Sequence, residues 1–217
     1  RFAINSSTGE LTFVAAPDFD LPADAGADNA YNVSVQASDG ELVGAQDVTV
    51  TIVPVNDNAP VITSIANLSV AENNPVVTTV TATDADLPPQ PLTYSIAGGA
   101  DSTLFTVNPS TGELTFVTAA DYEGPYDAGT DNIYNVTVQA SDGTLTVAHD
   151  VVVTVTPVND NMPVITSPAS FSIPENTTAV STVIATDADL PAQPLTFSIV
   201  SGADAMLFTI NPSTGAL

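Results

Sequence analysis

The 217 residues carry 25 Asp and Glu against one Arg and no Lys, a formal net charge of −24, and no Cys. Nucleic acid is thereby excluded as a partner, and an anionic membrane surface with it, because both need a basic face to bind. No disulfide can form, no apolar run is long enough to span a bilayer, and units of about 100 residues are large enough to bury a core without staples.

In chain order, Phe2-Ala3-Ile4 leads into a polar turn, Asn5 to Gly9, and then a strand, Leu11-Thr12-Phe13-Val14. Asp18 to Asn29 is a loop rich in Asp, Ala and Gly. Tyr31 to Ala37 alternates cleanly, so Tyr31, Val33, Val35 and Ala37 face a core while Asn32, Ser34 and Gln36 face water. Asp39-Gly40 marks a turn, and Asp47 to Ile52 alternates again with Val48, Val50 and Ile52 inward. This is the pattern of antiparallel sheet wetted on one face. Pro54-Val55-Asn56-Asp57-Asn58-Ala59-Pro60 has a proline at each end, fits neither a helix nor a central strand, and reads as an ordered linker.

Val61-Ile62-Thr63 and Leu68-Ser69-Val70 then form a broken first strand, with Glu72-Asn73-Asn74-Pro75 as its interruption. Val76 to Thr83 is a second strand ending at Asp84-Ala85-Asp86, and Leu87 to Pro91 a rigid turn. Leu92 to Ile96, Leu104 to Val107 and Glu113 to Val117 are further strands, the last two joined by the tight turn Asn108 to Gly112. After a long acidic loop, Asp121 to Asp131, come Tyr134 to Ala140 and a strand bearing Val151, Val153 and Val155. That strand runs into a second linker, Pro157-Val158-Asn159-Asp160-Asn161-Met162-Pro163. Helical periodicity is absent.

The two linkers lie 103 residues apart, and the same offset relates Glu72 to Glu175, Asp84-Ala85-Asp86 to Asp187-Ala188-Asp189, Asp39-Gly40 to Asp142-Gly143, and Phe2 to Phe105 and Phe208. The chain is therefore a tandem array. Residues 1–57 are the C-terminal part of one repeat, 58–160 a complete repeat, and 161–217 the N-terminal part of another, as in a window cut from a longer array. About seven short strands per 103 residues predict an all-β fold of tandem β-sandwiches stacked end to end.

The acids keep the same register. Asp18-Phe19-Asp20, Asp121-Tyr122-Glu123 and Asp84-Ala85-Asp86 each place two carboxylates on one side of an extended backbone. Asn58 and Asn161 add carbonyl oxygens. Calcium takes six to eight oxygen ligands and suits such a set, whereas zinc prefers His and Cys, of which the chain has one and none. Spacing alone leaves open whether these loops converge.

The motifs resemble those of the cadherin repeat superfamily, especially the tandem repeats of large bacterial surface or secreted proteins. A Pro-Glu-Asn is matched by Ala71-Glu72-Asn73 and Pro174-Glu175-Asn176, and an Asp-x-Asp by Asp84 with Asp86 and Asp187 with Asp189. An Asp-x-Glu is matched by Asp121 with Glu123 and, one methylene shorter, by Asp18 with Asp20. Ala-x-Asp is matched at Asp39 and Asp142, the Asn-Asp-Asn linker at both linkers, and Phe-x-Val-x-x-x-Thr-Gly-x-Leu at Phe105 to Leu114. The resemblance implies Greek-key, immunoglobulin-like sandwiches with about three Ca2+ ions at each junction. The first junction would draw on Asp18, Asp20, Asn56, Asp57, Asn58, Asp84, Asp86 and Asp142. The second would draw on Glu72, Asp121, Glu123, Asn159, Asp160, Asn161, Asp187 and Asp189.

Three departures stand out. Pro54 and Pro157 replace the first acid of the linker motif, Asp20 replaces a bridging Glu, and the loop Pro125 to Asn132 is longer and more acidic than in animal cadherins, as a solvated bulge or a further weak calcium site. The expected function is a calcium-rigidified extracellular or cell-surface array, a spacer or adhesive stalk whose partners are calcium and like repeats, with surface polysaccharide as a further partner class. The alternative is a carbohydrate-binding module of a secreted polysaccharide-degrading protein. No nucleophile stands beside a base, so no enzyme is expected. His149 reads as a surface residue, Tyr31, Tyr94 and Tyr134 as core, and Tyr122 and Tyr126 as loop packing.

Overall fold

A computed structural model describes all 217 residues. Residues 1–57 form two antiparallel hairpins, β1 (Phe2–Ile4) with β2 (Leu11–Phe13) and β3 (Ala30–Ser38) with β4 (Val43–Thr51). The next repeat contains β5 (Val61–Ile62), β6 (Asn67–Ala71), β7 (Val76–Thr79), β8 (Ala82–Thr83), β9 (Thr93–Gly98), β10 (Phe105–Val107), β11 (Glu113–Phe116), β12 (Ile133–Ser141) and β13 (Thr146–Thr156). In residues 161–217 only β14 (Val164–Ile165) and β15 (Ala185–Thr186) pair as strands, with one isolated bridge between Thr182 and Ala216. The strands that β6 and β9 lean on, β13 and β12, have no counterpart within residues 161–217, so the matching segments there stay unpaired.

Nine segments of the complete repeat amount to seven strands, because two strands are each split in two. The first breaks at Thr63 to Ala66, earlier than the sequence pattern suggests, and Glu72-Asn73-Asn74 is instead the turn that follows β6. The second, expected to be continuous over Val76 to Thr83, changes partner halfway: β7 pairs with β11 and β8 with β5. Between them Val80 is buried, its N–H donates to Gly112 O, and Thr81 O accepts from Thr63 N.

One sheet has the order β6-β13-β12-β9 and the other β10-β11-β7, with β5-β8 as a small pair at one pole. All pairings are antiparallel but one: β6 runs parallel to β13, matching Asn67 to Val152 through Ala71 to Thr156. The core lies between the sheets. Tyr134, Val136, Val138 and Ala140 on β12 and Val151, Val153 and Val155 on β13 are all buried, as alternation requires. Phe105, Leu114, Phe116 and Val80 close it from the second sheet side, and each large apolar side chain so buried is worth about 1.5–3 kcal/mol. On β3 the same face is only partly covered, and Ala37, expected inward, is exposed; residues 1–57 supply neither a counterpart of β7 in the facing sheet nor one of β9 beside β3. His149 is also not a plain surface residue: it pairs with buried Val138, is half-buried, and its Nε2 finds no partner.

Two short 3-10 turns, Ser102–Leu104 and Ala205–Leu207, are the only helical segments. The turn between β10 and β11 depends on Gly112, which sits at φ +74° with its missing Cβ directed at Val80 O, 2.1 Å away. Gly112→Ala therefore meets both a left-handed backbone and main chain that cannot yield. We expect it to destabilise the repeat by at least ~2 kcal/mol in chemical denaturation, whereas Gly143→Ala, with the same φ sign but open space around it, should cost less.

Candidate metal centres between successive repeats

The linkers are held by acids at the end of the second strand. At the first junction Asp86 is buried, and its Oδ1 accepts from Asn58 N at 3.1 Å and Asn58 Nδ2 at 2.7 Å, with Asp57 N more distant at 3.4 Å. These donors, the Asn58 side chain foremost, hold the Asp86 carboxyl below the usual carboxylate range. Asp84 Oδ1 accepts from Asp86 N at 3.0 Å, which turns the chain and leaves Asp84 Oδ2 buried without a partner. Asp142, buried on the β12–β13 turn, accepts from Thr144 N and Leu145 N, both at 2.7 Å. Burial pushes its carboxyl up, but those two donors win and bring it below its ordinary value.

Two three-acid groups form here: Asp20 with Asp57 and Asp86, and Asp84 with Asp86 and Asp142, each set of oxygens within 4.8 Å of one another. One arm of the Asn56 amide lies 3.1 Å from Asp142 Oδ2 and 3.3 Å from Asp86 Oδ2. Turned as an amine it donates to both; turned as an oxygen it faces acceptors only and repels them unless a cation lies among the three. Asp57 carries the opposite shift to Asp86: desolvation first, then the charges of Asp86, Asp20 and Asp18, raise its pKa. Its ionised form is thus disfavoured by the fold. Stability from this group is fully present below its unfolded pKa, about 3.9, and is lost as pH rises through the higher folded value.

The second junction repeats this plan. Asp189, 2% exposed, accepts from Asn161 N at 3.0 Å and Asn161 Nδ2 at 2.9 Å, and its Oδ2 is buried without a partner. The Asn161 side chain is the main reason its carboxyl lies below the usual range. Asp187 Oδ1 accepts from Asp189 N, as Asp84 does from Asp86. Glu72, buried after β6, bridges the pole: Oε1 accepts from Val158 N at 2.6 Å and Oε2 from Tyr122 N at 2.7 Å. Glu123 reaches into the next repeat, where Oε1 accepts from Leu190 N at 2.9 Å while Oε2 is buried and unpaired. Glu72, Glu123 and Asp160 bring carboxylate oxygens within 4.8 Å.

Asp18, Asp121, Asp187 and Asp189 belong to no such three-acid group. Asp18 and Asp121 spend Oδ1 on backbone N–H groups two and three residues on, shaping the loops that carry Asp20 and Glu123. Asn159 donates to Gln193, a contact that no motif signals. Asn73 donates to Asp160; its place in the Glu-Asn motif and its φ of +62° marked it as a turn residue but not as a neighbour of the linker. In the long loop, expected as a solvated bulge or a further weak calcium site, Tyr126 and residues Ala128 to Asp131 are exposed, while its acids are engaged by backbone. Asp127 is buried, with Oδ2 accepting from Gly129 N and Asp131 N and Oδ1 from Asn132 N, and buried Asp101 takes Ala128 N and Asn135 N at 2.7 Å each. These acids serve backbone donors. Tyr126 packs edge-on to Tyr134, as loop packing predicts.

The donor set fits a hard divalent cation. It consists of carboxylate and amide oxygens, includes buried oxygens with no hydrogen-bond donor, and belongs to a chain with no lysine and a single arginine to neutralise the charge. No helix of the chain is long and apolar enough to cross a membrane.

Residues 66–156 match a family model described as "Cadherin domain". The chain is 32% identical over 228 residues to Protocadherin Fat 4 of Mus musculus, covering 100% of this chain and 4% of that protein. It is 33% identical over 234 residues to Protocadherin Fat 1 of Homo sapiens, covering 98% and 5%. It is 31% identical over 228 residues to Cadherin-related family member 3 of Mus musculus, covering 97% and 27%. Among solved structures, the Protocadherin gammaB7 EC3-6 cis-dimer aligns with a TM-score of 0.67 at 28% identity, over 99% of this chain and 55% of that one. Mouse Cadherin-23 EC22-24 aligns with a TM-score of 0.66 at 27% identity, over 99% and 70%. The chain thus spans a small part of the curated relatives it matches.

Proposed function

The chain belongs to the cadherin repeat superfamily, and on that footing we propose that it works as a calcium-rigidified array, a spacer or adhesive stalk in a surface protein or filament. Cadherin family proteins are adhesion proteins rather than enzymes, and the relatives are extracellular or cell-surface proteins, which sets the location of this array. Like repeats are the fitting protein partner, since a relative of the same fold is described as a cis-dimer.

The observation that carries the reading is the convergence, at one junction, of carboxylates from two repeats and a linker. Asp20 precedes the first linker, Asp57 lies within it and Asp86 follows it, yet their oxygens lie within 4.8 Å. Bound calcium would supply positive charge shared by all three segments. Asp86 and Asp189 hold the linker backbone in place, Asp142 and Glu72 present acids from the repeat poles, and Asp84 and Asp187 shape the strand ends. A seven-residue linker with that charge unscreened would leave the repeats free to swing, so binding energy becomes ordering energy.

Small-angle scattering of the chain tests this. In millimolar calcium we expect a longer maximum dimension and a narrower distance distribution than in chelator. Identical curves in the two conditions would overturn the proposal.

A further inference from the structure

The two junctions differ at one pair of equivalent residues. Asp20 and Glu123 each reach across to the residue before a proline in the next repeat: Asp20 Oδ1 accepts from Leu87 N at 2.8 Å and Glu123 Oε1 from Leu190 N at 2.9 Å. The second oxygens part company. Glu123 Oε2 is buried and has no donor, and the Glu123 carboxylate belongs to the group whose oxygens lie within 4.8 Å, with Glu72 and Asp160. Asp20 Oδ2 accepts from Asn58 Nδ2 at 3.0 Å. That same amide nitrogen also lies 2.7 Å from Asp86 Oδ1 and 3.2 Å from Asp57 Oδ1. A neutral NH2 group therefore sits among the three carboxylates that would otherwise surround a cation. At the second junction the matching Asn161 Nδ2 faces only Asp160 and Asp189.

We infer that Asp20 makes the first junction a weak calcium joint, while Glu123 makes the second a strong one. The argument rests on the calcium reading above. One methylene decides it: the shorter side chain, anchored on Leu87 N, brings its free oxygen to the Asn58 amide instead of leaving it open to a metal. A cation at the first junction must displace an amide shared by all three acids, whereas at the second the Asn161 and Asn73 amides occupy Asp160 alone of the three and Glu123 Oε2 has no donor to displace. The two hydrogen bonds of Asp20 do not replace the metal mechanically, since bonds of this kind are individually weak in net terms. As calcium falls, the linker at 54–60 loosens while the linker at 157–163 is still held.

The test is reciprocal exchange, each junction compared with itself. Wild type, Asp20→Glu and Glu123→Asp are titrated with calcium chloride. Cleavage at each linker by a broad-specificity protease is followed by mass spectrometry, beside isothermal titration of calcium itself. Asp20→Glu is expected to lower the calcium concentration that protects linker 54–60 by about tenfold, and Glu123→Asp to raise that for 157–163 by a similar factor, the effect of gaining or losing one charged ligand oxygen. Melting curves in chelator should coincide for all three proteins, which a merely structural role for these residues would not give. Unchanged protection midpoints in both variants would overturn the inference and leave the calcium reading intact. Failure of calcium to protect either linker in the wild type would overturn both.

Discussion

Tyr134→Ala is expected to destabilise the complete repeat by about 3–5 kcal/mol, a large share of what a domain of this size has to lose. The ring is fully buried, with Phe116 at 5.1 Å, Tyr126 at 5.9 Å and Phe105 at 6.4 Å between centroids, all near-perpendicular. Removing it leaves a cavity walled by strands of both sheets, β12 on one side and β10 and β11 on the other, and also unseats the Tyr126 end of the long loop. Burial pushes the Tyr134 phenol up to about 12, so the ring stays neutral through any working pH and the loss is one of packing alone. Urea denaturation in chelator measures it. A change under 1 kcal/mol would mean that the aromatic cluster is not the centre of this core.

Glu72→Ala has the second large effect, and it is local to one junction. Glu72 joins three elements: the turn after β6, the Tyr122 backbone and the Val158 backbone of the second linker. Truncation leaves two part-buried N–H groups without acceptors and removes one of the three acids grouped with Glu123 and Asp160. In calcium, linker 157–163 should become as protease-sensitive as it is in chelator, while protection at 54–60 is unchanged. Glu72→Gln separates the two roles. It keeps an acceptor for one N–H group but loses the charge, so it should retain more thermal stability than the alanine variant and still bind calcium poorly at that junction. Equal protection of both linkers in the alanine variant would remove Glu72 from the site.

Much of this was legible in the sequence because its signals are periodic. Alternation of Tyr134, Val136, Val138 and Ala140 placed a face, and the 103-residue offset placed the acids in register. What alternation does not encode is direction and partner. It is blind to β6 running parallel to β13, to the exchange of partners at Val80, and to His149 lying opposite Val138. Around the junctions, the motif residues were readable one by one, but the donors that position them were not. Leu87 and Leu190 contribute only a backbone N–H, which any residue but proline carries. Asp101 has a repeat-register twin in Asp204, which was a usable signal; its two backbone donors come from segments 27 and 34 residues away and leave no mark in the local pattern.

The parallel pairing of β6 with β13 governs how the repeat would meet a pulling force. These are the first long strand and the last, and they lie side by side, pointing the same way, matched over five residue pairs from Asn67–Val152 to Ala71–Thr156. Tension on the two ends of the repeat pulls β6 backwards at its start and β13 forwards at its finish, along the strand axis. The ladder is then loaded in shear, with its hydrogen bonds strained together rather than peeled one at a time. An antiparallel neighbour in the same place, with both ends at one edge, would unzip. The strand direction that the amino-acid pattern leaves unwritten is therefore the feature that suits this unit to transmitting load.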